Sequence, residues 1–377
     1  MSELRCTEPV EVNHEQKIKM IPVTKSFLPP IEEYTAQVQR AYNNGWLTNR
    51  GELVLELEQK LTEYLGLQES KILCMNNGTI PLQIALKLLG KGGEVITTPF
   101  SYVATSSAIV WENCTPVFVD IHPDYLTIDE TQIEVAITEK TTCILATHVF
   151  GNPCNVEEIE RIARKHNLKV IYDAAHCFGV KYKGKSLFEY GDVSTCSFHA
   201  TKLFHTGEGG AIFCKDNNLI KKIFLSHAFG HLGDDYYQLG INGKMSELHA
   251  AMGLSVLPYI QSIISKRKEN YALYENQLDE RFTILSIREE TNFNYSYIPL
   301  IFSSENELLK AKRKLEENNI FTRRYFYPSL NTLKYFGNDE KCSQSEMISN
   351  RILCLPNYFE LSAQKINEIV DLIHSSI

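Results

Sequence analysis

The 377-residue chain carries a formal net charge of −8 and 44% hydrophobic residues. That is ample for packing and longer than one core usually takes, so a large domain with a smaller one is expected. The acidic balance excludes a general nucleic-acid or anionic-membrane binder, because such partners demand a basic face, and no apolar run approaches the roughly 20 residues of a bilayer span.

Residues 1–19 are polar and interrupted by proline, without the apolar centre of a signal peptide. They are expected to form a disordered extension, with the fold beginning at Met20. From residue 52 the chain alternates helix-like and strand-like segments. "ELVLELEQKLTEYLG" has helical spacing and ends at Gly66, "KILCM" is a short strand, and "IPLQIALKLLG" is a second helix. "EVITT", "TPVFVD", "TCILATH" and "KVIYDAAH" continue the strands, with helical stretches between them. This rhythm predicts an α/β fold with a mainly parallel sheet, whose ligands gather at the carboxyl ends of the strands. After residue 255 the rhythm changes, so 20–255 is expected to be the large ligand-binding domain and 256–377 a smaller α+β domain.

The strand ends carry the candidate chemistry. Asn77-Gly78-Thr79, between a strand and a helix, suits a phosphate, although the same residues make an ordinary capped turn. Asp173 closes an apolar strand. Lys202 lies on the loop before Gly209-Gly210, a pair expected to turn the chain tightly into the next strand; a lysine there is either a solvated charge or a nucleophile toward carbonyls. Together with the ring of Tyr102, these are the parts that hold pyridoxal phosphate: a phosphate cradle, an acid for the pyridine nitrogen and an amine for the aldehyde. The ten cysteines form no C-x-x-C pair and no zinc spacing. They read as reduced thiols of a cytoplasmic protein, with His148/Cys154 and His176/Cys177 structural rather than metal ligands.

The segments "GWLTNRGELVLELEQKLTEYLG", "NNGTIPLQIAL", "TTPFSYVAT", "HVFGNPCNVEEI", "YDAAHCFG", "SFHATKLFHTGEGGAIF" and "GINGKMSELHAAMG" resemble, in order and spacing, the DegT/DnrJ/StrS family of nucleotide-sugar aminotransferases. The resemblance implies the aspartate aminotransferase-like fold type I of pyridoxal phosphate enzymes. Lys202 would hold the cofactor aldehyde as a Schiff base and shuttle protons, Asp173 would pair with the pyridine nitrogen, and Tyr102 would stack on the ring. Gly78, Thr79 and Ser197 would hold the phosphate, joined by Asn242 from the partner subunit of a homodimer. His176 would stand beside the ring hydroxyl, where its titration would be felt in the pH profile. Thr48, His148, His199, Arg324 and Tyr325 are candidates to face the substrate, with Arg323 and Arg324 suited to a diphosphate or carboxylate.

The implied reaction moves an amino group from L-glutamate to the 4-keto group of a nucleotide-linked 4-keto-6-deoxy sugar, as in the formation of dTDP-4-amino-4,6-dideoxyglucose for O-antigen or another surface glycan. Amination of a 3-keto sugar is the alternative. A dehydratase of this family would carry histidine in place of Lys202, and a cofactor-free regulatory homologue would have lost Asp173, Ser197 and Lys202.

Overall fold

In the computed structural model, residues 20–336 and 341–377 are described; the expectation for residues 1–19 lies outside them. Seven strands form the central sheet: β1 (Lys71–Met75), β2 (Glu94–Thr97), β3 (Thr115–Phe118), β4 (Thr141–Thr147), β5 (Lys169–Asp173), β6 (Val193–Ser197) and β7 (Gly210–Cys214). Their spatial order is β1-β7-β6-β5-β4-β2-β3, and β7 alone runs opposite to the other six. The sheet is therefore mainly parallel, as the alternating pattern predicts.

Burial on both faces explains why the strands read as unbroken apolar runs. Leu73, Leu145 and Ile171 pack with the helices Thr79–Leu89, Val103–Trp111 and Asn217–His227 on one face. Ile72, Ile144 and Tyr172 pack on the other with Glu52–Leu65, Val156–His166 and Glu247–Val256. The alternation carries Asp173, two residues after Ile171, onto the face of the Val103–Trp111 helix.

A second core lies around a three-stranded antiparallel sheet of Thr283–Ile284, Pro299–Ile301 and Ile352–Cys354, covered by the helices Glu305–Glu317 and Ala363–His374. The long Ile260–Gln277 helix contributes Tyr271 and Tyr274 to it. The division at 255/256 did not anticipate the N-terminal segment: Ile21–Pro22 pairs in parallel with Ile320–Phe321, and Ile21 is buried in this second core. The helical stretch Glu247–Gln277 has the length and hydropathy of a membrane span, but half of its apolar window is buried inside the protein.

Candidate active site

The carboxyl edge of the sheet brings together four segments far apart in sequence. At the end of β1, the Asn77 side chain accepts hydrogen bonds from the N–H groups of Thr79 (2.8 Å) and Ile80 (2.9 Å), capping the Thr79–Leu89 helix. Two of the amides expected to face an anion are thus already taken. Among the described residues nothing occupies the Gly78 N–H or the Thr79 hydroxyl, and Gly78 sits beside Ser197 at the end of β6.

Glycine is required here by closeness. A Cβ on Gly78 would lie 2.6 Å from the Ser197 Cβ, and one on Gly210 would lie 2.3 Å from the Asn77 carbonyl oxygen. This corrects the turn expected at Gly209-Gly210. The left-handed residue of the loop is Gly207, at φ +79°, whereas Gly210 lets the Asn77 turn press against the sheet.

Asp173, 6% exposed, accepts a 2.6 Å hydrogen bond from the Thr105 hydroxyl and one of 3.1 Å from the Ala175 N–H. Thr105 is linked through Ser101 to Thr147, so a run of hydroxyls backs the carboxylate. Burial raises the Asp173 carboxyl above its usual range, opposed by the Thr105 and Ala175 hydrogen bonds and the charge of Lys202.

The Lys202 loop is closed across its base, where Phe198 N–H donates to the Gly209 carbonyl and Ala200 N–H to that of Gly207. The N-terminal segment straps it from outside: Ser26 Oγ donates to the Ala200 carbonyl at 2.6 Å, Thr24 Oγ1 donates to the Thr201 carbonyl, and His205 Nε2 bonds the Phe27 carbonyl. Lys202 Nζ lies 3.3 Å from the Tyr297 hydroxyl in a cavity also lined by Thr24, His176, Ser197, Arg267 and Tyr325. Desolvation pulls the amine below the ordinary lysine range, against the opposing influence of the Tyr325 phenol and the Asp173 carboxyl.

The remaining expectations divide. His176 is at the cavity, but its Nδ1 accepts the Phe150 N–H at 3.1 Å and its ring stacks on Phe326. Burial first, and then Lys202, push it well below the usual histidine range, which favours the neutral Nε2–H form and runs against the expected titration near neutrality. His148 is fully buried on the opposite face, stacked 4.5 Å from Tyr172 with Nδ1 accepting the Cys154 N–H, and so is closed to a substrate.

Arg324 is also withdrawn. It bonds Glu305 and the Asn350 carbonyl and lies on the Tyr327 ring. Arg323 instead is exposed, its guanidinium 4.8 Å from the centre of Tyr325, which lines the cavity. Tyr102, half exposed, begins the Val103–Trp111 helix near enough to influence the Lys202 charge. Thr48 and His199 are exposed loop residues, the latter bonded to Thr201. Asn242 is exposed on a loop that pairs with Asn76 of the same chain. Sequence reading missed Thr105, Arg267, Tyr297 and the Thr24–Phe27 strap, none of which carries a local motif.

A model of the DegT/DnrJ/EryC1/StrS aminotransferase family matches residues 30–374. The chain belongs to this family. Two members named dTDP-4-amino-4,6-dideoxy-D-glucose transaminase, from Shigella dysenteriae and Escherichia coli, are 41% and 42% identical to it, each over 94% of this chain and 98% of the relative. The structure of DesI determined in the presence of its TDP-sugar product superposes with a TM-score of 0.88 at 29% identity, covering 95% of this chain and 93% of that one. Streptococcus pneumoniae Spr1654, described as a putative sugar aminotransferase, was solved in PLP and PMP forms; each is 25% identical, with TM-scores of 0.87 and 0.88 over 95% of this chain and 100% and 97% of that one.

The fold is thus that of the fold type I sugar aminotransferases, and pyridoxal phosphate is the cofactor of this family. The residues present fit that group: an enclosed amine, a buried acid on the neighbouring strand, and a glycine-lined cradle with an open amide and hydroxyls.

Proposed function

We propose that this aminotransferase moves the amino group of L-glutamate to carbon 4 of a nucleotide-linked 4-keto-6-deoxy sugar, with dTDP-4-keto-6-deoxyglucose as the acceptor and a surface glycan such as O-antigen as the destination. The observation that carries the reading is the enclosure of Lys202 Nζ opposite Asp173, in a chain similar along nearly its whole length to two transaminases of that name.

Pyridoxal phosphate, when bound, supplies an aldehyde that condenses with amines and a pyridinium that withdraws electrons from the reacting carbon. The chain's own residues do the rest. Asp173, held by Thr105 and Ala175, would keep the pyridine nitrogen protonated. Lys202 would hold the aldehyde, and its Nζ, with depressed basicity, would carry a proton on one face of the site. Gly78, Thr79 and Ser197 would hold the phosphate, and Tyr102 would cover the ring. The neutral His176 would offer its Nε2–H to the ring hydroxyl. Arg323 stands where the sugar nucleotide's diphosphate would meet a cation, with Thr48, His199 and Tyr325 as further substrate contacts.

The working unit is read as a cytoplasmic homodimer in which Asn242 of each subunit reaches the other's phosphate. The exposed Trp46, Leu47, Phe229, Tyr236 and Leu239 give such an interface apolar area. Light scattering should return twice the chain mass, and a monomer active at nanomolar concentration would remove the shared site.

Incubation with L-glutamate and a panel of dTDP- and GDP-linked 4-keto and 3-keto sugars tests the substrate. Mass spectrometry and NMR should find the 4-amino product of the dTDP-linked 4-keto sugar formed fastest. A 3-amino product alone would overturn the regiochemistry, and preference for the GDP sugar would overturn the nucleotide.

A further inference from the structure

The helix Glu52–Leu65 begins at Gly51, which has no side chain to cap it. The cap comes from far along the chain. Glu247, 1% exposed, accepts hydrogen bonds from the N–H groups of Gly51 (2.9 Å) and Val54 (3.4 Å) on Oε1 and of Leu53 (2.7 Å) on Oε2. Its own N–H donates to the Leu47 carbonyl at 3.0 Å, so one residue grips both ends of the loop from Leu47 to Gly51. Within that grip Asn49 and Arg50 stand in succession in the left-handed region, at φ 62° and 58°, and the Arg50 guanidinium is tied to Glu58 at 2.9 and 2.6 Å. Adjacent non-glycine residues of this kind persist only where their surroundings fix them, and such strain concentrates at functional sites. A cap alone requires neither the bond to Leu47 nor the left-handed pair. Glu247 itself stands on an anchored segment: five residues before it is Asn242, the Asn76 N–H donates to the Gly243 carbonyl at 2.9 Å, and Lys244 pairs with Met75. Thr48 and Asn242 are thus exposed residues fixed to one frame, beside the exposed Trp46 and Leu47. Among the described residues, none of 45–51 or 242–247 lines the cavity around Lys202 of the same chain.

We propose that Glu247 is a positioning residue for the sugar nucleotide: it holds Thr48 at a fixed offset from Asn242, so that both reach the second subunit's site as one piece. The proposal rests on the reading of Thr48 as a substrate contact and of the working unit as a homodimer. Glutamate suits this task because a carboxylate only accepts hydrogen bonds, so it faces all three N–H groups without conflict, and its charge is favoured at a helix N-terminus. Glutamine has the same shape but must turn its NH2 group toward at least one of those N–H groups. The left-handed pair can then relax and Thr48 is displaced, while the Asn242 segment keeps its bonds to Asn76 and Met75. The consequence falls on the sugar nucleotide rather than on glutamate or the cofactor.

The test varies dTDP-4-keto-6-deoxyglucose at saturating L-glutamate in the holoenzymes of wild type and Glu247→Gln. Glu247→Gln should raise the KM for the sugar nucleotide about tenfold, the equivalent of one hydrogen bond to a charged group. The KM for glutamate, kcat and the cofactor content should match wild type. A lower urea midpoint with an unchanged sugar KM would reduce Glu247 to a helix cap and overturn the proposal, as would an equal rise in the glutamate KM. Should Glu247→Gln fail to fold, the exposed Thr48 decides: Thr48→Val should raise the same KM, and an unchanged value overturns the assignment. Heterodimers of Glu247→Gln and Lys202→Ala chains, isolated with two affinity tags, then show which site the loop serves. Their one intact lysine faces a chain with unaltered Glu247, so the sugar KM should return to the wild-type value at reduced turnover. A KM as high as that of the Glu247→Gln homodimer overturns the proposal. A monomeric wild type, or one that does not use this sugar, would instead sink the dimer or the acceptor reading.

Discussion

At the scale of single residues, the site is governed by enclosure. Asp173 and Lys202 are drawn toward their uncharged forms by burial, and each is held back by the other's charge. Removing the Thr105 hydroxyl takes away the first-ranked interaction opposing burial at Asp173. Thr105→Val should therefore raise the Asp173 carboxyl further and lower kcat about tenfold, the equivalent of one charge-assisted hydrogen bond; an unaltered kcat would show that the hydroxyl contributes nothing to the acid. Lys202→Ala should abolish amination altogether, and residual turnover near wild type would exclude the lysine from chemistry. For His176, NMR titration should find the ring neutral down through pH 6, and His176→Gln should leave the shape of the pH–rate profile between 6 and 8 unchanged. A midpoint near 6.5 would restore the titration that the sequence suggested and burial removes. Lys202 and Asp173 were legible because each ends or follows an apolar strand, whereas Ser197 came only through the family resemblance. Tyr297 and Thr105 were not, being 95 residues from Lys202 and 68 from Asp173, respectively, with nothing in their neighbours to mark them.

At the scale of elements, alternation and caps made the sheet readable. The helix at Glu52–Leu65 ends at Gly66 in the left-handed region, and the Val156–His166 helix runs from an Asn155 cap to Asn167, also left-handed. What sequence could not reveal was the pressing of one turn on another. Gly78 and Gly210 have ordinary φ signs, so their necessity appears only where Asn77, Ser197 and the two backbones meet. Gly210→Ala must displace the Asn77 carbonyl, and overpacking of this kind costs about 1–3 kcal/mol. The expected result is a lower urea midpoint together with faster loss of cofactor on dialysis; a variant that retains cofactor like wild type would refute the cradle. The short N-terminal strand escaped notice for a related reason, because two residues are too few to display a period and their partner strand lies near residue 320.

At the scale of the whole molecule, the sheet and the second core are joined at several points. Asp120, just after β3, accepts hydrogen bonds from the N–H groups of Gln344 and Ser345 and from the Ser345 hydroxyl, fixing the start of the Ser343–Arg351 helix. Asp120→Ala should cost about 2–3 kcal/mol in urea unfolding, as expected for lost hydrogen bonds to a buried charged group. Acid should weaken the whole fold. Burial lowers His148 to about 3 and His227 to about 4, and depresses His176 and His205 as well. Each is near 6.5 when unfolded, so the unfolded chain binds the extra protons. The stability these groups contribute is complete above pH 6.5 and is lost as pH falls below it, by about 1.4 kcal/mol per unit for each neutral ring. Urea midpoints should accordingly drop between pH 7 and 5, and a flat series would contradict the buried neutral histidines. The N-terminal strap has one more consequence. Ile21–Pro22 is knitted into the second core, Thr24 and Ser26 are bonded to the Lys202 loop, and Val23 alone separates the two attachments. The reactive amine is thus geared to the outer unit by a drawbar with almost no slack, so a displacement of that unit is handed directly to the lysine's mount.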